Sequence, residues 1–193
     1  MITDARIAEW TQAITQVTEE YRAVYGTLPL DALNWQPSPE QWSMGQILHH
    51  LITLNQSYFE VLGQVQAGTY RPPFLARLPY LPGVLGKFLL KAVSPQTHKK
   101  TQTPRRWKPA TSHFSAELLP LFFTHQNTFL RWAQESASLE HLSPVISSPL
   151  HRSIVLPLDA IFPILLAHEK RHLLQAQEVK ATWYKFQQME QAQ

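Results

Sequence analysis

Apolar residues recur along this chain at spacings of three and four, the period of a helix with one buried face. Ile7, Trp10, Ile14, Val17, Tyr21, Val24 and Leu28 form the first stripe. They predict a helix from about Thr3 to Tyr25, ended by Gly26. The second stripe is Ile47, His50, Leu54, Ser57, Val61 and Val65. It predicts a helix from about Glu40 to Gln66, with Ser38 as N-cap and Pro39 in the first turn. Leu118, Leu121, Phe122, His125, Phe129 and Trp132 mark a third helix, from Phe114 to Glu135, with Pro120 near its start. The fourth runs from about Pro157 to Gln188, with Asp159 in its first turn. Its stripe is Ile161, Ile164, Leu165, His168, His172, Gln175, Val179 and Phe186. Between the second and third helices, residues 68–112 are broken by seven prolines, and only Val84–Val93 reads as a short helix. Residues 136–156 read as a second loop. The expectation is an all-α fold: one domain over residues 1–193, a four-helix bundle with a long proline-rich insertion between helices two and three.

Polar residues interrupt the stripes at chosen places. His168 and His172 lie four residues apart, so on a helix they stack on one face about 40° apart. Both occupy positions where Leu or Ile is expected. Neutral imidazoles one turn apart can reach a single metal ion, and His50, centred on the second stripe, offers a third ligand. Three protein ligands leave a position open for water or substrate. Zn, Ni or Fe as the divalent ion suits imidazole. The competing reading is that these are packed core histidines. His125 is a possible fourth ligand or acid/base, or a core residue. The same stretch spells His168-Glu169-Lys170-Arg171-His172, the metalloprotease pattern in which the glutamate serves as general base. Glu169 lies at the edge of the buried face, where a surface charge pairing is the plainer reading. Gln46 and Gln175 each stand about one turn from a candidate ligand and could orient an imidazole, contact substrate or bridge helices. His98, His113, His141 and His151 lie in or near loops and carry no assignment.

Composition narrows the classes. There is no cysteine among the 193 residues. That removes disulfides, thiolate metal sites and Cys nucleophiles, and it suits a reducing compartment. No apolar run reaches the ~18 residues of a membrane span, and charges begin at Asp4 without a leader-like apolar core. The expected location is the cytoplasm. A net charge of +3 permits anionic substrates without arguing for nucleic acid. The expected partner is a small molecule, with no nucleic acid, no membrane and a homodimer possible. The basic stretch Lys99, Lys100, Arg105, Arg106 and Lys108 around Trp107 could meet a phosphate or carboxylate, or form a solvated loop with one packed Trp.

Two segments carry a family resemblance. Trp42-Ser43-Met-Gly-Gln-Ile-Leu-His-His50-Leu51 resembles the "W-S-i-x-x-i-l-x-H-L" segment of the DinB/YfiT-like superfamily. His168-Glu-Lys-Arg-His172-Leu-Leu-Gln175 resembles its later "H-x-x-x-H-L-x-Q" segment. The resemblance implies a DinB-like four-helix bundle of up-down-down-up topology. It also implies a divalent metal on one histidine from helix two and two from helix four, which by position are His50, His168 and His172. His49 precedes the family's His-Leu pair and is left out. Relatives include thiol transferases that use bacillithiol, mycothiol or glutathione, mycothiol-dependent isomerases and metal-dependent hydrolases. The implied function is a metal-dependent enzyme, a thiol transferase with a low-molecular-weight thiol as co-substrate or a hydrolase. The alternative is a non-catalytic metal-binding bundle.

Overall fold

A computed structural model of the chain describes residues 1–97 and 102–192. Lys99, Lys100 and His98 therefore lie outside the described residues. Four long helices form where the stripes place them: α1 (Asp4–Tyr25), α3 (Met44–Gln66), α5 (Leu118–Gln134) and α7 (Leu158–Gln191). Between them come α2 (Leu30–Asn34), α4 (Leu81–Val93) and α6 (Ser136–Leu142). Two short 3-10 turns, Phe74–Arg77 and Arg105–Trp107, punctuate the proline-rich segment.

Helix α1 starts on Thr3, whose side chain accepts from Arg6 N–H. Helix α3 starts later than its prolines suggest. Ser43, not Ser38, is the N-cap, and Gln46 closes a capping box. Ser43 Oγ accepts from Gln46 N–H at 3.1 Å and Gln46 Oε1 accepts from Ser43 N–H at 3.0 Å. The two bonds satisfy two otherwise orphaned donors, a pairing that Ser38-Pro39 cannot match. Helix α5 begins at Leu118 rather than Phe114, which puts Pro120 in the first turn, where a missing N–H costs nothing.

The fold is mostly helical but not all-α. Residues 136–156, expected as loop, hold α6 and an antiparallel hairpin of β1 (Val145–Ser148) and β2 (His151–Pro157). Ile146 faces Leu156 and Ser147 faces Val155 across it, and the register slips between Ser147 and Ser148. Ile146, Val155 and Leu156 are fully buried, so packing holds this short pair where local propensity alone would not.

Each of α1 and α3 lies alongside both α5 and α7. Their shared core is aromatic. Trp10 stacks on Phe162 at 5.1 Å, Phe162 on Phe129 at 6.3 Å, and Tyr21 meets Phe122 at 4.8 Å. Phe122, Phe129 and Phe162 are fully buried, and each contributes roughly 1.5–3 kcal/mol. Two expected stripe members fall outside this core: Leu121 and Phe186 are exposed. Helix α4 packs on α7 and β2. Gly86 permits the approach, since a Cβ there would stand 3.2 Å from Ala160 Cβ and 3.2 Å from Pro157 Cδ.

Candidate metal centre

Helix α3 brings His50, and α7 brings His168 and His172, to one point between them. His50 Nε2 lies 3.4 Å from His168 Nε2, which lies 3.2 Å from His172 Nε2. One ligand atom from each residue falls within 4.8 Å of the others. Two nitrogens ~2.1 Å from a shared ion at a tetrahedral angle stand about 3.4 Å apart. The observed separations match that spacing.

The outer ring nitrogens set the tautomers. His50 Nδ1–H donates to the Trp107 carbonyl at 2.8 Å, and His172 Nδ1–H donates to Gln175 Oε1 at 2.9 Å. Each bond leaves the Nε2 lone pair aimed inward. His168 Nε2 meets both. As an N–H it can satisfy only one of those two lone pairs, whereas a cation bonds all three nitrogens together. Its Nδ1 is buried without a hydrogen-bond partner. The donor set fits a divalent ion that favours imidazole.

Burial holds the three imidazoles neutral. Burial pushes the His50 pKa down to about 4, with the Trp107 carbonyl opposing and His49 adding to the fall. Burial, then the neighbouring His50, takes His172 down to about 3, with Gln175 opposing. His168 lies well below the usual histidine range, first through burial and then through His172 and His50. Trp42 covers the site: its ring lies 5.0 Å from that of His50, and 6.1 Å from and nearly parallel to that of His172. Trp42 and His168 are half-buried, while His50 and His172 are buried.

The remaining sequence candidates separate. Gln175 orients an imidazole, as one of its expected roles required. Gln46 does not: it caps α3 and accepts from Gln36. Glu169 is fully buried, not at the surface with Lys170. Asn55 Nδ2 donates to its Oε1 at 2.7 Å and Gln126 Nε2 to its Oε2 at 3.1 Å. Burial raises its pKa to about 7 against those two donors. Both oxygens are thus engaged away from the histidine group, and the general-base role of a metalloprotease glutamate has no support. His125 is a core residue, stacked on Phe59 at 5.0 Å, and it does not join the three-histidine group. His113, His141 and His151 are exposed.

Two contributors escaped the sequence, and a third, Trp107, reads from the sequence as a packed residue without its link to His50. Asn55 and Gln126 look like ordinary helix polars until Glu169 is seen between them. Trp107 sits in the proline-rich segment, yet it is buried, donates Nε1–H to Ser57 Oγ at 3.1 Å and offers its carbonyl to His50. Its place in the only aromatic position of a basic stretch was the available signal. Two clefts of ≈ 710 and ≈ 610 Å³ open elsewhere, one between α1, α4 and α7 and one beside the hairpin, and neither is lined by the three histidines.

No curated protein and no solved structure matches the chain. A family profile described as the DinB superfamily matches residues 13–176. That span holds all three converging histidines, and the chain belongs to the DinB superfamily.

Proposed function

We propose that this protein is a metal-dependent enzyme acting on a small molecule, with His50, His168 and His172 holding one divalent ion of Zn, Ni or Fe. The reaction is thiol transfer from a low-molecular-weight thiol to an electrophile, or hydrolysis. One observation carries the reading: three Nε2 atoms converge at ligand spacing, two of them fixed by Nδ1–H bonds to carbonyl oxygens. When bound, such an ion supplies Lewis acidity that lowers the pKa of a coordinated thiol or water. The chain's own part is to keep the imidazoles neutral and oriented. The Trp42 ring shields two of them. Under this reading the four long helices form the up-down-down-up bundle of the family.

A second reading has an observation behind it. Trp42 lies over two of the three rings, and the Nδ1 of the third is buried, which favours a non-catalytic metal-binding bundle. The deciding experiment loads the protein with Zn²⁺, Ni²⁺ or Fe²⁺ and screens bacillithiol, mycothiol and glutathione against small electrophiles, with esters and amides as hydrolase substrates. Turnover that disappears in His50→Ala supports the enzyme. Metal binding without turnover across the screen favours the second reading.

A further inference from the structure

The mild overall charge conceals a segregation. Of 17 Lys and Arg residues, nine fall between positions 61 and 116, where there is no Asp or Glu. The other 137 residues carry a net charge of −6. This basic segment contains α4, and α4 is unusual. Its inner side, with Leu85, Leu89 and Leu90, packs onto the core, and Gly86 locks it against α7. Its outer side is apolar too. Tyr80, Val84 and Phe88 recur every four residues and are 87%, 61% and 70% exposed. On a helical projection Lys87 and Lys91 fall within about 60° of that same stripe, and both are exposed. Tyr80 caps the helix in the left-handed region, at φ 66°, which is uncommon for a bulky residue. The adjoining turn, Phe74–Arg77, packs near α4 and adds a Phe74 that is 71% exposed and an exposed Arg77.

We infer that the outer face of α4 with the Phe74–Arg77 turn is a docking surface for an anionic lipid bilayer, on which this protein sits peripherally. Exposed aromatic and branched residues enter the headgroup boundary, while Lys87 and Lys91 extend along it to lipid phosphates and carboxylates. The charge favours this occupant: Arg77, Lys87 and Lys91 on this face, in a segment without an acid, complement a negative surface. A second copy joined through a twofold axis would set basic segment on basic segment, which is repulsive. No described helix is long and apolar enough to cross a membrane, so contact of this kind is confined to the surface.

The test is co-sedimentation of the full chain with vesicles of phosphatidylcholine alone or with 30% phosphatidylserine. Each Lys or Arg near such a surface strengthens binding by about fivefold. Partition onto the anionic vesicles should therefore exceed that onto neutral ones by about tenfold or more in 0.1 M salt, and collapse in 0.5 M salt, where screening shortens to a few ångström. Val84→Ser with Phe88→Ser should cut it by about fivefold or more. Lys87→Glu with Lys91→Glu should cut it further. All four positions are exposed, so the helical circular dichroism of each variant should match the wild type and show that the comparison is between folded proteins. Equal binding to both vesicle types overturns the proposal, as does anionic binding that the serine pair leaves unchanged. So does retention of a nucleic-acid duplex without vesicle binding. Concentration-dependent self-association abolished by the serine pair, with no vesicle binding, assigns the face to a second copy and overturns it equally.

Discussion

His125→Phe isolates the acid sensitivity built into the core. The ring is 6% exposed and stacks on Phe59, and its Nε2 has no hydrogen-bond partner. Burial lowers its pKa to about 4 from the usual 6.5. A histidine with a depressed folded pKa gives the unfolded chain the greater proton affinity. Its contribution is therefore intact above pH 6.5 and is lost as pH falls toward 4. Integrating from pH 7.5 to 4.5 with those two values gives a loss of about 2.5 kcal/mol from this one residue. Phenylalanine keeps the stack, forfeits no hydrogen bond of the Nε2 and cannot titrate. Urea unfolding followed by circular dichroism, in chelator and at both pH values, gives the stability gap between variant and wild type. That gap should move in favour of the variant by about 2.5 kcal/mol on acidification, whatever its value at pH 7.5. Other histidines cancel in the difference. A gap equal at the two pH values would show that His125 titrates as if exposed, and the reasoning would fail.

Gln175→Leu removes the acceptor that orients His172, so metal affinity should fall about 10–100-fold while the melting temperature of the metal-free protein changes little; isothermal titration with Zn²⁺ measures the first. Gln46→Ala should do the reverse, costing about 1 kcal/mol through the lost capping box and leaving metal affinity as it was. Arg6→Ala breaks the 2.7 Å pair with Asp159 between two part-exposed side chains and should cost under about 1 kcal/mol in a urea melt. Free histidine in solution would suggest that metal affinity weakens through pH 6.5, but His50 and His172 at about 4 and 3 stay neutral in the folded site. Affinity should hold from pH 8 to 5 and fall only toward pH 4, and a tenfold loss by pH 5.5 in a metal titration would count against buried ligands.

What the chain disclosed in advance is what local periodicity encodes. Ile14, Val17 and Tyr21 at their spacing define one buried face, and the same rule places His168 beside His172 without any knowledge of the fold. The hairpin was hidden because its strands are short and bounded by Pro144, Pro149 and Pro157, so its stability comes from the burial of Ile146 and Leu156 rather than from a local pattern. Helix α3 starts five residues after the expected Ser38 cap, because Ser43 and Gln46 make reciprocal bonds that the apolar periodicity does not mark. Glu169 was misplaced for a different reason. Its donors lie 114 and 43 residues away, on α3 and α5, and only three packed helices bring them together. The Trp107 carbonyl reaches His50 from 57 residues away in the same manner. The three histidines are written in single helices, whereas the groups that orient and shield them are products of tertiary packing.

The central claim is that three imidazoles share one ion on a fold that stands without it. Its most direct test is the metal-to-protein ratio after loading with Zn²⁺ and desalting, measured on the wild type and on His50→Ala, His168→Ala and His172→Ala, with circular dichroism on each. One ion per wild-type chain, a ratio near zero in every variant and unchanged helicity are predicted. A variant that keeps a full ion, a wild type that binds none, or variants that lose their helices would contradict the account.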